Sequence, residues 1–356
     1  MAVHFHKLKV KDIRHETQEC VSVSFLLPDD LKKEFEFLHG QNITLKKIIN
    51  GEEIRRSYSI CSAPFEDELR IAVKNTGLFS DYINHKVMPG DEIEVLPPTG
   101  KFNTQLNKTN KKKYLAFAAG SGITPIISII KATLNTEQES SFTLIYCNKN
   151  RNSIIFSESL QATKNKNMQR FNLVHLLSRE KTYSPINTGR INSEKLVELN
   201  KMIDYKSFDE FFICGPEAMI FCVKDFLELS GIDKLKIHFE LFTIPGEKTK
   251  TISQDLYKEV NTEKSHILIK ADGRPFEFDL NSSNMSILDA ALLEGADLPF
   301  ACKGGVCASC KAKLLEGNVV MDSNYALEPE EIEQGFILCC QAHPQSKNIV
   351  IDFDVR

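Results

Sequence analysis

The chain has 356 residues, 42% of them apolar, and a formal charge of −4. That length exceeds one ordinary core and predicts two or three domains. The longest apolar runs, YLAFAA and ITPIISII, are too short to span a bilayer, and the first residues, MAVHFHKLKV, mix charge with apolar side chains; a soluble, cytoplasmic protein without a secretion signal is expected. Ten cysteines in such a compartment are not a disulfide framework, because thiols there stay reduced. Residues 265–356 carry 14 Asp/Glu against 7 Lys/Arg, so an acidic tail domain follows a mildly basic body, which excludes the basic stripe of a nucleic-acid binder.

Residues 1–110 alternate short β-type runs with turn residues. AVHFHKLKV, CVSVSFLL, QNITLKKII, RRSYSIC, LRIAVK and DEIEVL are rich in β-branched residues, with Pro, Gly, Asp and Asn between them. Strands at that spacing predict a small antiparallel β-barrel. The lysine-rich NKTNKKK at 107–113 reads as a solvated boundary.

Over 111–243 the continuous apolar strands YLAFAA, FTLIYC, FNLVHLLS, EFFICG and KIHFELF are separated by helical stretches such as TPIISIIKATL. This predicts an α/β domain whose parallel sheet is covered on both faces. Its loop AAGSGITP runs straight from strand to helix: Gly120 and Gly122 let backbone approach a diphosphate, Thr124 stands with them as a candidate contact, and Pro125 occupies an early helical position that needs no N–H. The alternative is a tight structural turn. No G-x-S-x-G, H-E-x-x-H or Walker loop points toward a hydrolase.

Residues 244–264 are polar and aperiodic and carry Pro and Gly, so they read as a linker. The last unit, 265–356, starts with a hairpin, HILIKADGRPFEFDL, continues with a helix, SILDAALLEG, and closes on a strand, IVIDF. Between helix and closing strand lies ACKGGVCASC, with Cys302, Cys307 and Cys310. Its C-x4-C-x2-C spacing is that of plant-type [2Fe-2S] clusters, which need four thiolates. The small intervening residues, Gly304 and Gly305 above all, let backbone amides reach the sulfurs. A zinc site would more often show two C-x2-C pairs, and only one is present. The fourth thiolate must lie downstream, where Cys339 and Cys340 are adjacent.

The segment ACKGGVCASCKAKLLEGNVVMDSNYALEPEEIEQGFILCCQAHP resembles the ferredoxin domain of phenylacetyl-CoA epoxidase reductase subunits, and the similarity covers nearly the whole chain. The resemblance implies an antiparallel β-barrel domain for FAD, an α/β parallel-sheet domain for NADP, and an α+β (β-grasp) ferredoxin domain, in that order. It also implies that Cys340 is the fourth ligand: 29 residues separate it from Cys310, as in the plant-type pattern, and the family places a cysteine directly before the Gln of CQ.

In the first domain, Arg56, Tyr58 and Ser59 of RRSYS resemble the R-x-Y-S motif of the ferredoxin reductase superfamily. There an Arg pairs with the flavin pyrophosphate, a Tyr packs on the ring and a Ser hydroxyl reaches a ring nitrogen. The tetrapeptide alone fits a solvent-facing Arg beside a barrel tyrosine better. GLFSDYI, with Gly77 and Ser80, stands where the family places a glycine-led helix N-terminus, which suits a phosphate. In the second domain, Cys214 and Gly215 of ICGPEAM are placed by the resemblance beside the nicotinamide, and Glu240 and Phe242 of HFELF near the other flavin face. Ser178 and Arg179 of LLSRE resemble the pair that contacts the 2′-phosphate in related NADPH enzymes, and the second strand ends in YCNKNR, with no acid for a ribose 2′-hydroxyl.

The implied activity is electron transfer from NADPH through FAD to the cluster, with Cys214 and Glu240 as candidate catalytic residues. NADPH brings electrons in pairs and a [2Fe-2S] cluster takes them singly; a flavin does both. The implied acceptor is a di-iron oxygenase acting on phenylacetyl-CoA, with no nucleic acid or membrane involved. Glu328, Glu330, Glu331 and Glu333 of EPEEIE mark a candidate docking face for it. The alternatives are a reductase for another hydroxylase or desaturase, and a redox-sensing iron–sulfur module.

Overall fold

The structure is a computed structural model and describes residues 4–242, 264–281 and 285–355. The expected linker, 244–264, lies outside the described residues except for Lys264. The chain divides into two compact units: one spans His6–Leu241 apart from Arg55–Ser57, and the other comprises the residues from Phe242 onward with Arg55–Ser57 and the first five residues.

In the larger unit, the first six strands are β1 (His6–Thr17), β2 (Cys20–Leu26), β3 (Asn42–Ile49), β4 (Glu52–Ser59), β5 (Leu69–Lys74) and β6 (Glu92–Val95), with helix α1 (Leu78–His85) between β5 and β6. They form one sheet in the order β4-β3-β6-β1-β2-β5. Ile60, one residue past β4, bridges Ile71 of β5, so the two edges meet and the sheet closes as a barrel. Closure removes the free edges that an open antiparallel sheet would expose. Alternating residues point inward, among them Leu8 and Val10, Ile43 and Leu45, Ile71 and Val73, and Ile93 and Val95.

The α/β region follows with β7 (Lys113–Ala119), α2 (Ile123–Thr136), β8 (Ser141–Asn148), α3 (Ser157–Lys166), β9 (Phe171–Leu177), α4 (Ser193–Asn200), β10 (Glu210–Cys214), α5 (Glu217–Leu229) and β11 (Ile237–Glu240). The strands are parallel, in the order β11-β10-β7-β8-β9. The chain leaves β7 in one direction and returns through β10 on its other side, so a crevice opens between the carboxyl ends of these two strands. Barrel and α/β region belong to one unit: Ser128 of α2 donates to the Ser62 carbonyl at 2.6 Å, and Lys131 pairs with Glu66 at 2.8 Å.

The C-terminal unit contains β12 (Lys264–Ala271), β13 (Arg274–Asn281), α6 (Ile287–Leu293), β14 (Lys311–Glu316), β15 (Val319–Met321), α7 (Pro329–Glu333), β16 (Phe336–Leu338), β17 (Ala342–Pro344) and β18 (Asn348–Asp352). Five strands form a mixed sheet ordered β13-β12-β18-β14-β16, and β15 and β17 pair separately. Asp272 and Gly273, both at positive φ (56° and 68°), make the two-residue turn of the β12–β13 hairpin. Helix α6 buries Ile287, Leu288, Ala290 and Ala291, and the Leu288 amide donates to the Cys339 carbonyl at 3.0 Å.

Candidate functional site

The crevice between β7 and β10 gathers candidates from four parts of the sequence. Gly120 has φ +54°, a left-handed backbone that turns the chain sharply out of β7, and Tyr146 Oη donates to its carbonyl at 2.9 Å. Gly122 has an ordinary φ but no room: a Cβ there would lie 2.2 Å from the Cys214 carbonyl oxygen. Its missing side chain therefore seats the start of α2 against the end of β10. Gly215 is less tightly placed: a Cβ there would lie 2.7 Å from the flexible end of Met219 and 3.1 Å from the Cβ of Ala119. Thr124 is buried and donates to the Ser121 carbonyl at 3.0 Å, so its hydroxyl shapes the loop from within.

Cys214 pairs in register with Glu240 at the end of β11. Burial, and behind it the Glu240 carboxylate, push the Cys214 thiol well above its usual range, so it is a neutral, fully buried thiol. Ser59, at the end of β4, donates to Glu240 Oε2 at 2.9 Å. That bond carries the barrel motif to the strand ends of the α/β region across 181 positions of sequence.

Tyr58 stacks obliquely on Phe79 of α1, with ring centroids 6.2 Å apart, which joins the R-x-Y-S motif to GLFSDYI. A Cβ on Gly77 would meet nothing within 4 Å, so the approach to the α1 N-terminus is open where a phosphate would sit. Ser80 is buried and accepts from the Thr76 and Gly77 amides at 2.9 Å each, so its hydroxyl holds this turn. Arg56 and Phe242 fall in the other unit. Arg56 is exposed, with Nη1 donating to the Arg55 carbonyl at 2.7 Å, and Phe242 is 42% exposed.

Ser178 and Arg179 occupy a separate corner, at the ends of β8 and β9. Their amides donate to the Asn148 and Lys149 carbonyls at 2.9 and 2.8 Å, which fixes their backbone while the Arg179 side chain stays exposed. Sequence reasoning missed Glu180, whose carboxylate accepts from the Arg151 amide at 2.9 Å and pairs with Arg151 Nε at 3.1 Å. A cavity of about 450 Å³ opens beside this corner, lined by Arg151, Leu177, Thr182 and Tyr183 among others.

In the C-terminal unit the cysteine loop turns on three residues with positive φ: Lys303 (55°), Gly305 (75°) and Ala308 (54°). These turns aim amides inward. The Gly304 amide donates to Cys302 Sγ at 3.3 Å, and the amides of Val306, Ser309 and Gly305 lie close enough to Cys302, Cys307 and Cys340 to favour their thiolates. The thiols touch in the sequence Cys307–Cys302–Cys340–Cys310. Contact with Cys307 lowers the Cys302 thiol, but contact with Cys340 and burial outweigh it and the net shift is upward. Among the described residues no three His, Cys, Asp or Glu side chains converge on a point suited to one metal ion. The chain of contacts instead offers one thiol pair at each end, and a two-iron cluster with amide donors to its sulfurs fits that donor set.

Cys339 differs from Cys340. Both lie in the apolar core, but Cys339 is fully buried, its thiol is pushed up by burial first, and among the described residues it takes part in no thiol–thiol bond, whereas Cys340 does. Glu331 also departs from the expected exposed acidic face: it is buried, paired with Lys311 at 3.1 Å, and accepts from the Glu328 amide at the start of α7. Glu328, Glu330 and Glu333 are exposed. Gln341 and Ser323, which sequence reasoning did not single out, contact the loop; the only signal was the Gln that follows Cys340.

Residues 7–104 match the oxidoreductase FAD-binding domain, 117–225 the oxidoreductase NAD-binding domain, and 269–345 the 2Fe-2S iron-sulfur cluster binding domain. A 1,2-phenylacetyl-CoA epoxidase subunit from Escherichia coli (strain K12) is 43% identical over 99% of this chain and 98% of its own length. The ferredoxin reductase component of 3-ketosteroid-9-alpha-monooxygenase from Rhodococcus rhodochrous is 32% identical over 97% and 96%. In fold, the chain is similar to phthalate dioxygenase reductase, described as a modular structure for electron transfer from pyridine nucleotides to [2Fe-2S] (TM-score 0.56, 22% identity, 98% of both chains). The chain belongs to the family of FAD-, NAD(P)- and [2Fe-2S]-dependent oxygenase reductases that includes this phenylacetyl-CoA epoxidase component.

Proposed function

We infer that this chain is the cytoplasmic, NADPH-dependent reductase of a phenylacetyl-CoA epoxidase, and that its acceptor is the di-iron oxygenase of that system. The observation that carries the reading is the meeting of Gly122, Cys214, Glu240 and Ser59 at one strand-end crevice within the unit that also holds the barrel. The domains assigned to these roles are 1–110, 111–243 and 265–356, joined by 244–264.

The chain's own residues bind and orient. Tyr58, Ser59 and the α1 N-terminus at Gly77 would hold the flavin; Gly120 and Gly122 would take the nucleotide diphosphate, and Cys302, Cys307, Cys310 and Cys340 the cluster. The flavin supplies the exchange between paired and single electrons. Cys214, neutral and buried, presents a small apolar wall with no charge to attract water, while Ser59 holds the Glu240 carboxylate at a fixed place beside it. Ser178 and Arg179 select NADPH; the carboxylate of Glu180 already neutralises Arg151, leaving Arg179 for the phosphate.

The test has two arms. Ser59→Ala should slow anaerobic flavin reduction by NADPH roughly tenfold to a hundredfold, the loss expected when one hydrogen bond to a charged group is removed. Addition of the purified chain to the oxygenase components should support NADPH-dependent epoxidation of phenylacetyl-CoA. Unchanged flavin reduction would overturn the crevice assignment, and turnover only with another hydroxylase would overturn the partner. NADH is the second reading, favoured by the acid Glu180 at the end of β9.

A further inference from the structure

We propose that Gln341 is a positioning residue that locks two ligand-bearing segments of the cluster site to each other. The proposal rests on reading Cys302 and Cys340 as ligands. Those two residues are 38 positions apart, and Gln341 holds the carbonyl of Cys340 itself and that of Lys303, which follows Cys302. Gln341 Nε2 donates to the Lys303 carbonyl at 2.9 Å and to the Cys340 carbonyl at 3.0 Å, while its Oε1 accepts from Ser323 Oγ at 2.7 Å.

This set of partners fixes the orientation of the amide. Two carbonyl oxygens can only accept, so the NH2 must face them, and the hydroxyl is then left to donate to the oxygen. The staple acts where the backbone most needs it. Lys303 sits at φ 55°, a left-handed conformation that a lysine adopts only when its surroundings impose it. Its ammonium is tied to Asp289 at 2.6 Å, and its carbonyl to Gln341. Gly305 lies against the same group: a Cβ there would stand 2.8 Å from the Ser323 carbonyl oxygen and 3.2 Å from Gln341 Cγ. The short β15–β17 ladder pairs Met321 with Ala342, so Ser323 and Gln341 flank one end of it and arrive at the loop together. The Gly304 amide, which donates to Cys302 Sγ at 3.3 Å, belongs to the backbone so held.

The experiment compares Gln341→Glu, Gln341→Met and Ser323→Ala with the unaltered holoprotein, full length. Glutamate keeps the shape and can still accept from Ser323 but donates to neither carbonyl; methionine keeps only the volume. The readouts are the rate at which a ferrous chelator bleaches the cluster absorbance and the midpoint potential of the cluster. Both Gln341 variants should lose the cluster about tenfold faster, as expected when two neutral hydrogen bonds are removed, and Ser323→Ala a few-fold faster. The midpoint should move to more negative values, because loosened amides stabilise the sulfur charge less. Flavin content and NADPH-to-dye activity should not change. If the Gln341 variants yield no holoprotein, Ser323→Ala decides the matter alone. Wild-type bleaching rate and midpoint in Ser323→Ala and in whichever Gln341 variants retain the cluster would overturn the proposal. Cys340→Ser separates this from the ligand assignment: a full cluster in that variant refutes the ligand reading itself.

Discussion

In the α/β region, Gly122, Cys214 and Glu240 reach one crevice from three strand ends, and Ser59 joins them from the barrel. In the C-terminal unit, three of the four candidate ligands come from nine consecutive residues, and no regular element runs through them. The crevice is held by packing, because the strands that carry it have cores behind them and the glycines only permit close approach. The cysteine loop joins the core of its unit at Cys310, and its turns are held by hydrogen bonds and by three residues at positive φ. A site of the first kind should fail through bulk, and one of the second kind through loss of a ligand or staple.

The comparison is broken most severely at Cys340. Cys340→Ser should abolish the [2Fe-2S] absorbance and EPR signal while flavin content and NADPH-to-dye activity persist. Cys339→Ser should keep the cluster, since among the described residues that thiol, unlike Cys340, bonds to no other thiol. Loss of the cluster from Cys339→Ser and its retention in Cys340→Ser would reverse the assignment.

Gly122→Ala tests the crevice through bulk. The added methyl would collide with the Cys214 carbonyl at 2.2 Å, and the backbone must move to admit it. Overpacking of this kind costs about 1–3 kcal/mol. A lower melting temperature for the flavin–nucleotide unit and a raised KM for NADPH are expected, with the cluster EPR signal unchanged. Gly77→Ala, where the added methyl meets nothing within 4 Å of protein, should leave the melting temperature unaltered and weaken only flavin binding.

The smallest effect belongs to the corner at Ser178 and Arg179. Arg179→Ala removes an exposed side chain, so stability should hold. The KM for NADPH should rise roughly tenfold, the value of one charge-assisted contact, while that for NADH stays level. Equal changes for both nucleotides would remove Arg179 from phosphate recognition.

Much of this architecture was legible because each domain has its own sequence period. Five of the six barrel strands, the strand–helix alternation and the C-terminal hairpin stand where pattern and turn residues place them, whereas the first strand, expected in AVHFHKLKV, runs on from His6 to Thr17. The cysteine loop was legible because its spacing is fixed by the cluster's size. Contacts between distant segments were not. Nothing local in RRSYS foretells that Ser59 meets Glu240, and nothing in EPEEIE distinguishes Glu331, buried at the first turn of α7, from its exposed neighbours. Gln341 was hidden for the same reason: its partners, Lys303 and Ser323, are brought to it only by the β15–β17 ladder.

Anaerobic rapid mixing of the holoprotein with NADPH, with flavin and cluster absorbance followed together, tests the central claim most directly. In the unaltered chain the flavin should bleach first and the cluster afterwards, and in Cys340→Ser the flavin phase should remain at its normal rate while the cluster phase disappears. Cluster reduction that precedes flavin reduction, or that survives when the flavin is removed, would contradict the account.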